Sequence, residues 1–168
     1  MGLFNRFKQD KTPKHEPQKK CFEDIFGELQ TDMVAICNEY SEGLADKIYI
    51  HCYITDEAYA ADHFYEVNGN IIPKHKLGEH TNGTVDTSPD RQKQCGKILM
   101  DDLTQIIHVF KDDNRRMPYE LRIVYDAKKN SMDAHYEYPP ISDELEELLP
   151  NEIMKLWMDE LKSCSVNK

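Results

Sequence analysis

Apolar residues recur every three or four positions in three stretches, which is the period of an amphipathic α-helix. The first stretch covers residues 22–40. The second begins at Ser88-Pro89-Asp90, where serine can cap the helix and proline suits its first turn, and ends between residues 112 and 114. The third follows Pro150, and a short acidic helix capped by Ser142 precedes it. The apolar positions of the third helix are Ile153, Leu156, Trp157 and Leu161.

Apolar and polar residues alternate along four other stretches, which is the period of a half-buried β-strand. These stretches are residues 47–55, 60–67, 119–126 and 132–138. The last two form a hairpin through a turn at residues 127–131. Asn68-Gly69-Asn70 predicts another turn, beyond which Ile71-Ile72 can add a short strand. Residues 73–88 show no period and predict a long surface loop.

The order of these elements is α-β-β-α-β-β-α, and both hairpins are antiparallel. This order predicts an α+β fold: an antiparallel sheet of about four strands with helices packed on one face. We expect the helices to cover the face lined by Ile48, Ile50, Leu121, Ile123, Met132 and Ala134.

The opposite sheet face would combine tyrosines with carboxylates. Aromatic side chains anchor protein interfaces, and carboxylates steer encounter with a basic partner and select it. We therefore predict that this face binds a partner protein. The predicted binding residues are Tyr49, Tyr53, Glu120, Asp126, Asp133 and Glu137. An ordinary solvated sheet face is the alternative interpretation, and the acidic region from Asp143 to Glu160 is a second candidate surface.

Charge is distributed unevenly along the 168 residues, whose net charge is −10. Residues 1–20 hold six basic and two acidic side chains and predict a flexible basic N-terminal arm, which leaves residues 21–168 as a single α+β domain. The acidity of the whole argues against nucleic acid as a partner. No apolar run is long enough for stable membrane insertion, and no signal peptide pattern opens the chain. The pattern predicts no particular oligomeric state.

The five cysteines are odd in number and show no C-x-x-C spacing, so we expect reduced thiols in the cytoplasm. Cys37, Cys52 and Cys95 lie in apolar patterns and are predicted as core side chains.

Common enzyme motifs are absent: the chain has no Walker A loop, no G-x-G-x-x-G and no G-x-S-x-G. Two groups of residues keep a small metal-dependent hydrolase open as an alternative. They are Asp133, His135 and Glu137 on one strand, and His75, Glu79 and His80 in the predicted loop. Neither group comes with a nucleophile motif or an evident fourth ligand. We predict no catalytic residue, metal or cofactor.

The second hairpin resembles the YezG-like immunity (antitoxin) family of bacterial polymorphic toxin systems. The resemblance rests on residues 117–122 (MPYELR), 124–126 (VYD) and 134–138 (AHYEY), followed by an acidic stretch and a helix with Trp157. It covers roughly residues 22–162. It implies a cytoplasmic immunity protein without a catalytic site. Such a protein binds and neutralises a cognate toxin, often a nuclease, and an acidic surface favours a basic one. An intracellular adaptor or regulator that uses the basic arm is the alternative.

Overall fold

The computed structural model describes residues 18–167. The predicted basic arm therefore lies outside the described residues, apart from positions 18–20. None of the helices between residues 18 and 167 has the apolar length that crossing a bilayer requires. In chain order the elements are α1 (Phe22–Tyr40), β1 (Lys47–Ile54), β2 (Tyr59–Val67), β3 (Asn70–Pro73), a 3-10 helix (Lys74–His80), α2 (Pro89–Asp112), β4 (Glu120–Asp126), β5 (Ser131–Glu137), α3 (Asp143–Glu146) and α4 (Pro150–Val166).

The five strands form one antiparallel sheet in the order β3-β2-β1-β4-β5. The predicted α+β class is confirmed. The sheet has five strands rather than about four, because the short stretch around Ile71-Ile72 forms β3. The register also confirms the predicted faces, because Ile50 lies between His63 and Ile123 whereas Tyr49 lies between Phe64 and Val124. Successive residues of a strand point to opposite faces, so these two rows belong to different sides of the sheet.

Helices α1 and α2 cover the face that carries Ile48, Ile50 and Cys52. The start of α2 follows its predicted signal, since the Ser88 hydroxyl accepts a hydrogen bond from the Arg91 amide at 3.4 Å. The apolar stripes of both helices meet the sheet in one continuous core. Its fully buried members include Met33, Cys37, Leu99, Leu103 and Ile106.

Helix α4 packs on the other face, which corrects the expectation that all helices share one side. Trp157 and Met158 contact Tyr49, Phe64 and Ile71 there. The cause is a second apolar surface on the sheet, formed by Tyr49, Phe64 and Ile71, whose large hydrophobic area favours burial. The domain thus has three layers, with α1 and α2 below the sheet and α4 above it.

Residues 73–88 are not the surface loop that their lack of period predicts. A 3-10 helix occupies Lys74–His80, and Leu77 and Val85 are buried in the main core. Gly78 permits this packing, because a Cβ atom at that position would lie 3.0 Å from the Val85 carbonyl oxygen. The two anchoring side chains are too far apart in sequence to form a periodic signal.

Candidate functional site

The position of α4 divides the six predicted binding residues into two groups. Tyr49, Tyr53 and Glu120 are 3%, 6% and 2% exposed, so the expectation that all six lie open to a partner is wrong for these three. Asp133 and Glu137 on β5 are exposed, and Asp126 at the end of β4 is half-buried. We call Asp126, Asp133 and Glu137 the acidic strip, since they lie on the part of the face between α4 and the β5 edge.

Tyr49 is held inside an aromatic cluster. Its ring stacks on Phe64 with centroids 4.8 Å apart, and the Trp157 ring meets it edge-on at 5.6 Å. The Tyr49 hydroxyl donates a hydrogen bond to a Glu66 carboxylate oxygen at 3.0 Å. Burial, with the nearby Glu66 charge, raises the pKa of Tyr49. These contacts make Tyr49 a packing residue that attaches α4 to the sheet.

Glu120 lies in a buried network of polar side chains. Its Oε1 atom is 2.8 Å from His51 Nε2 and accepts a hydrogen bond from Arg122 Nε at 2.9 Å. Burial alone would raise the pKa of this carboxyl, but the hydrogen bonds from His51 and Arg122 outweigh it, and the pKa is lowered. The Arg122 guanidinium also lies over the Trp157 ring, 5.2 Å from its centroid, and 3.5 Å from a Glu160 carboxylate oxygen. The network links the sheet to α4 electrostatically as well as by packing.

The acidic strip carries few internal contacts. Asp126 Oδ1 accepts hydrogen bonds from the amides of Lys128 and Lys129 and so shapes the β4–β5 turn. Glu137 Oε1 lies 2.7 Å from His135 Nε2, and both side chains are exposed. The strip therefore presents two exposed carboxylates on the edge strand β5 and a half-buried one at the end of β4.

Tyr53 borders a groove of about 740 Å³ at the end of the sheet, between the β1–β2 turn and the segment leading into α4. Its ring meets Tyr119 edge-on, with centroids 6.2 Å apart, and both side chains line the floor of the groove with Leu149. Leu149 is 62% exposed and adds apolar surface beside the cavity. The sequence pattern gave no signal for this groove, because its walls come from three separated segments.

Carboxylates form the rim of the same groove. Asp56 and Glu57 lie at the tip of the β1–β2 turn, which a 2.8 Å hydrogen bond from the Thr55 amide to the Ala58 carbonyl closes, and Glu146 in α3 contributes a third. All three are exposed, and no lysine or arginine is among the described residues that line the cavity. We call this feature the acidic groove. Glu146 belongs to the acidic region from Asp143 to Glu160, the predicted second candidate surface, whereas Asp56 and Glu57 were not predicted.

The sequence-predicted metal alternatives do not assemble. Among residues 18–167, neither Asp133, His135 and Glu137 nor His75, Glu79 and His80 bring three ligand atoms together. A different set does so: Cys37, His63 and Cys95 each place one possible ligand atom within 4.8 Å of the others. Cys37 and Cys95 are buried, as predicted for core side chains, but their proximity to a histidine was missed because the three residues are distant in sequence.

The chain matches no protein-family model and no curated protein.

Proposed function

We propose that this protein binds a basic protein partner in the acidic groove, and that the partner is a cognate toxin which binding neutralises in the cytoplasm. The role requires stoichiometric binding and no catalytic step. The observation that carries it is the combination of an apolar floor with a carboxylate rim. The resemblance of the second hairpin to YezG-like immunity proteins supports the choice of a toxin as the partner.

The floor of the groove provides the apolar part of an interface. Tyr53 and Tyr119 are supported from below by Ile153, which is 1% exposed, so their rings are held in place before a partner arrives. These two residues are only 6% and 9% exposed, so they form a preformed apolar floor that loses little conformational freedom on binding. The exposed Leu149 adds apolar area that a partner side chain would remove from water.

The rim selects the charge of the partner. Asp56, Glu57 and Glu146 would attract lysine or arginine, and the net charge of −10 extends that attraction over longer distances. A toxin that cleaves nucleic acid needs a basic surface to bind phosphates, and an acidic protein can occupy that surface instead. The acidic strip extends the same charge along the sheet, and Glu137 lies in one cross-strand row with Glu120 and Tyr53.

Co-expression with the toxin domain encoded beside the gene tests the proposal. Rescue of growth together with a stable complex of the two proteins is the expected result. Because the rim acts through charge, we expect the association rate to fall steeply as salt is raised from low to physiological concentration. Survival without any complex would overturn neutralisation by binding and would favour an enzymatic antidote. A complex without rescue would favour the adaptor alternative.

Charge reversal at the rim locates the interface. The triple variant Asp56→Lys, Glu57→Lys and Glu146→Lys should bind the toxin at least about tenfold more weakly, since several rim carboxylates would become repulsive. The control reverses the same number of exposed carboxylates away from the groove: Asp32→Lys, Glu79→Lys and Asp112→Lys. Equal binding by both variants would show that the interface lies outside the acidic groove. Because Glu120 is buried, its reversal would test folding and is unsuitable here.

A further inference from the structure

A cluster of two cysteines and a histidine lies on the side of the sheet opposite the α4 layer, and neither the acidic groove nor the acidic strip uses it. Cys37 comes from α1, His63 from β2 and Cys95 from α2. The three side chains are 0%, 1% and 3% exposed, and one ligand atom of each lies within 4.8 Å of the other two. Three segments of the chain thus converge on one small volume.

We propose that Cys37, His63 and Cys95 form a zinc-binding site. Thiolate sulfur and imidazole nitrogen are the ligands that zinc prefers in proteins. Cys95 Sγ lies 3.5 Å from His63 Nε2. Sulfur at about 2.3 Å and nitrogen at about 2.0 Å from one tetrahedral zinc ion are themselves about 3.5 Å apart, so this pair already has the required spacing.

The surroundings hold the ligands in position. The His63 ring lies edge-on to Tyr40 and Tyr65, with centroids 5.1 and 5.3 Å away, and the Tyr65 hydroxyl donates a hydrogen bond to the Cys37 carbonyl at 2.7 Å. Ligands fixed by such neighbours lose little freedom on binding a metal.

A small cleft reaches the cluster from the surface at Cys95. It has a volume of about 100 Å³, and Cys95, Tyr40 and Arg91 are among the residues that line it. Zinc sites with three protein ligands keep the fourth position for water or another small ligand. The Arg91 guanidinium donates a 2.9 Å hydrogen bond to the Glu39 carbonyl, which fixes one wall of the cleft at the end of α1.

The test uses the full chain, reduced, treated with a chelator and then titrated with zinc or, as a spectroscopic probe, cobalt(II). We expect one metal ion per chain, a thiolate-to-cobalt absorption band of the intensity expected for two sulfurs, and a higher thermal midpoint with zinc. Cys37→Ala and Cys95→Ala should each lose zinc binding and weaken the band. Cys52→Ala is the matched control, because Cys52 is 0% exposed in the same core but lies outside the cluster.

The wild-type protein and the Cys52→Ala variant both retain the three proposed ligands, so they test the proposal even if the cluster variants fold poorly. Failure of both to take up metal would overturn the proposal, as would equal uptake by folded Cys37→Ala. Isolation with a Cys37–Cys95 disulfide whose reduced form binds no zinc would overturn it as well. Toxin binding plays no part in any of these measurements, so the zinc site stands or falls independently of the proposed function.

Discussion

His51 Nε2 lies 2.8 Å from Glu120 Oε1, and the two side chains are 2% and 3% exposed beneath α4. A second pair of the same chemistry, His135 and Glu137, has nearly the same separation of 2.7 Å but is 66% and 47% exposed on β5. The chain therefore contains its own comparison between a buried and an exposed contact of one type. Because the two distances are nearly equal, the difference in burial decides how much each pair contributes to the stability of the fold.

Glu120→Gln should destabilise the protein by about 2 kcal/mol at pH 7, because it weakens hydrogen bonds to a buried charged group. The folded-state pKa of Glu120 lies below its ordinary value of 4.5. The wild-type advantage is therefore complete above that pH and disappears as the pH falls through the lower folded value. Urea unfolding of the wild-type and Glu120→Gln proteins, from pH 7 down to below pH 4.5, measures this difference in stability. Glu137→Gln is the control and should change stability little; an equal loss there would contradict the role of burial.

Trp157→Ala should reduce the free energy of unfolding by about 3 kcal/mol, because the ring fills the space between α4 and the sheet. Trp157 is 6% exposed, while its neighbour Leu156 is 46% exposed. Leu156→Ala on the same helix should therefore change stability by less than about 1 kcal/mol. Denaturant unfolding followed by circular dichroism compares the two variants. Since Trp157 is the single tryptophan, weak quenching of its fluorescence by acrylamide provides an independent check on its burial.

Gly78→Ala should destabilise the 3-10 segment, because the new Cβ atom would press on the Val85 carbonyl at 3.0 Å. We expect a loss of about 1 kcal/mol. Gly96→Ala gives the opposite sign, since in the described part of the chain no atom outside its own helix turn lies within 4 Å of its Cβ position. Alanine is favoured over glycine inside a helix by about 0.8 kcal/mol. Thermal melts of the two variants test the pair. A stabilised Gly78→Ala protein would show that the close approach to Val85 is easily relieved.

Asp102→Asn should stabilise the protein at neutral pH by about 1 kcal/mol. Burial, together with the charges of Asp32 and Asp101, raises the pKa of Asp102 to about 6, and its Oδ2 atom has no hydrogen-bond partner among residues 18–167. The carboxyl group favours the folded state while protonated, and this contribution is lost as the pH rises through the folded pKa. The benefit of asparagine should therefore vanish near pH 4. Urea unfolding of both proteins at neutral pH and near pH 4 measures this gain in stability. A gain that does not depend on pH would show that asparagine acts through packing and not through the charge of Asp102.

Alternation along the strands was enough to predict which residues share a sheet face. It could not predict that a helix covers the face with Tyr49 and His51. Each of these side chains combines a polar atom with an apolar ring and therefore fits either a solvent-exposed or a buried surface. The third helical stretch likewise predicted α4 but not the side on which it packs. The acidic groove and the zinc cluster depend on contacts between distant segments. Residues 37, 63 and 95 have no local spacing that would connect them.

The placement of α4 has a consequence for synthesis on the ribosome. All five strands precede residues 150–166 in the chain, so the sheet can form before the helix that covers Tyr49 and Phe64 has emerged. For that interval the nascent protein carries an uncovered aromatic surface, the kind of surface that promotes aggregation. Glu120 and Arg122 lie on the same face, and we expect their charges to keep it partly hydrated until α4 docks. The ion pair that helps to link α4 to the sheet in the finished protein would then limit aggregation while the chain is being made.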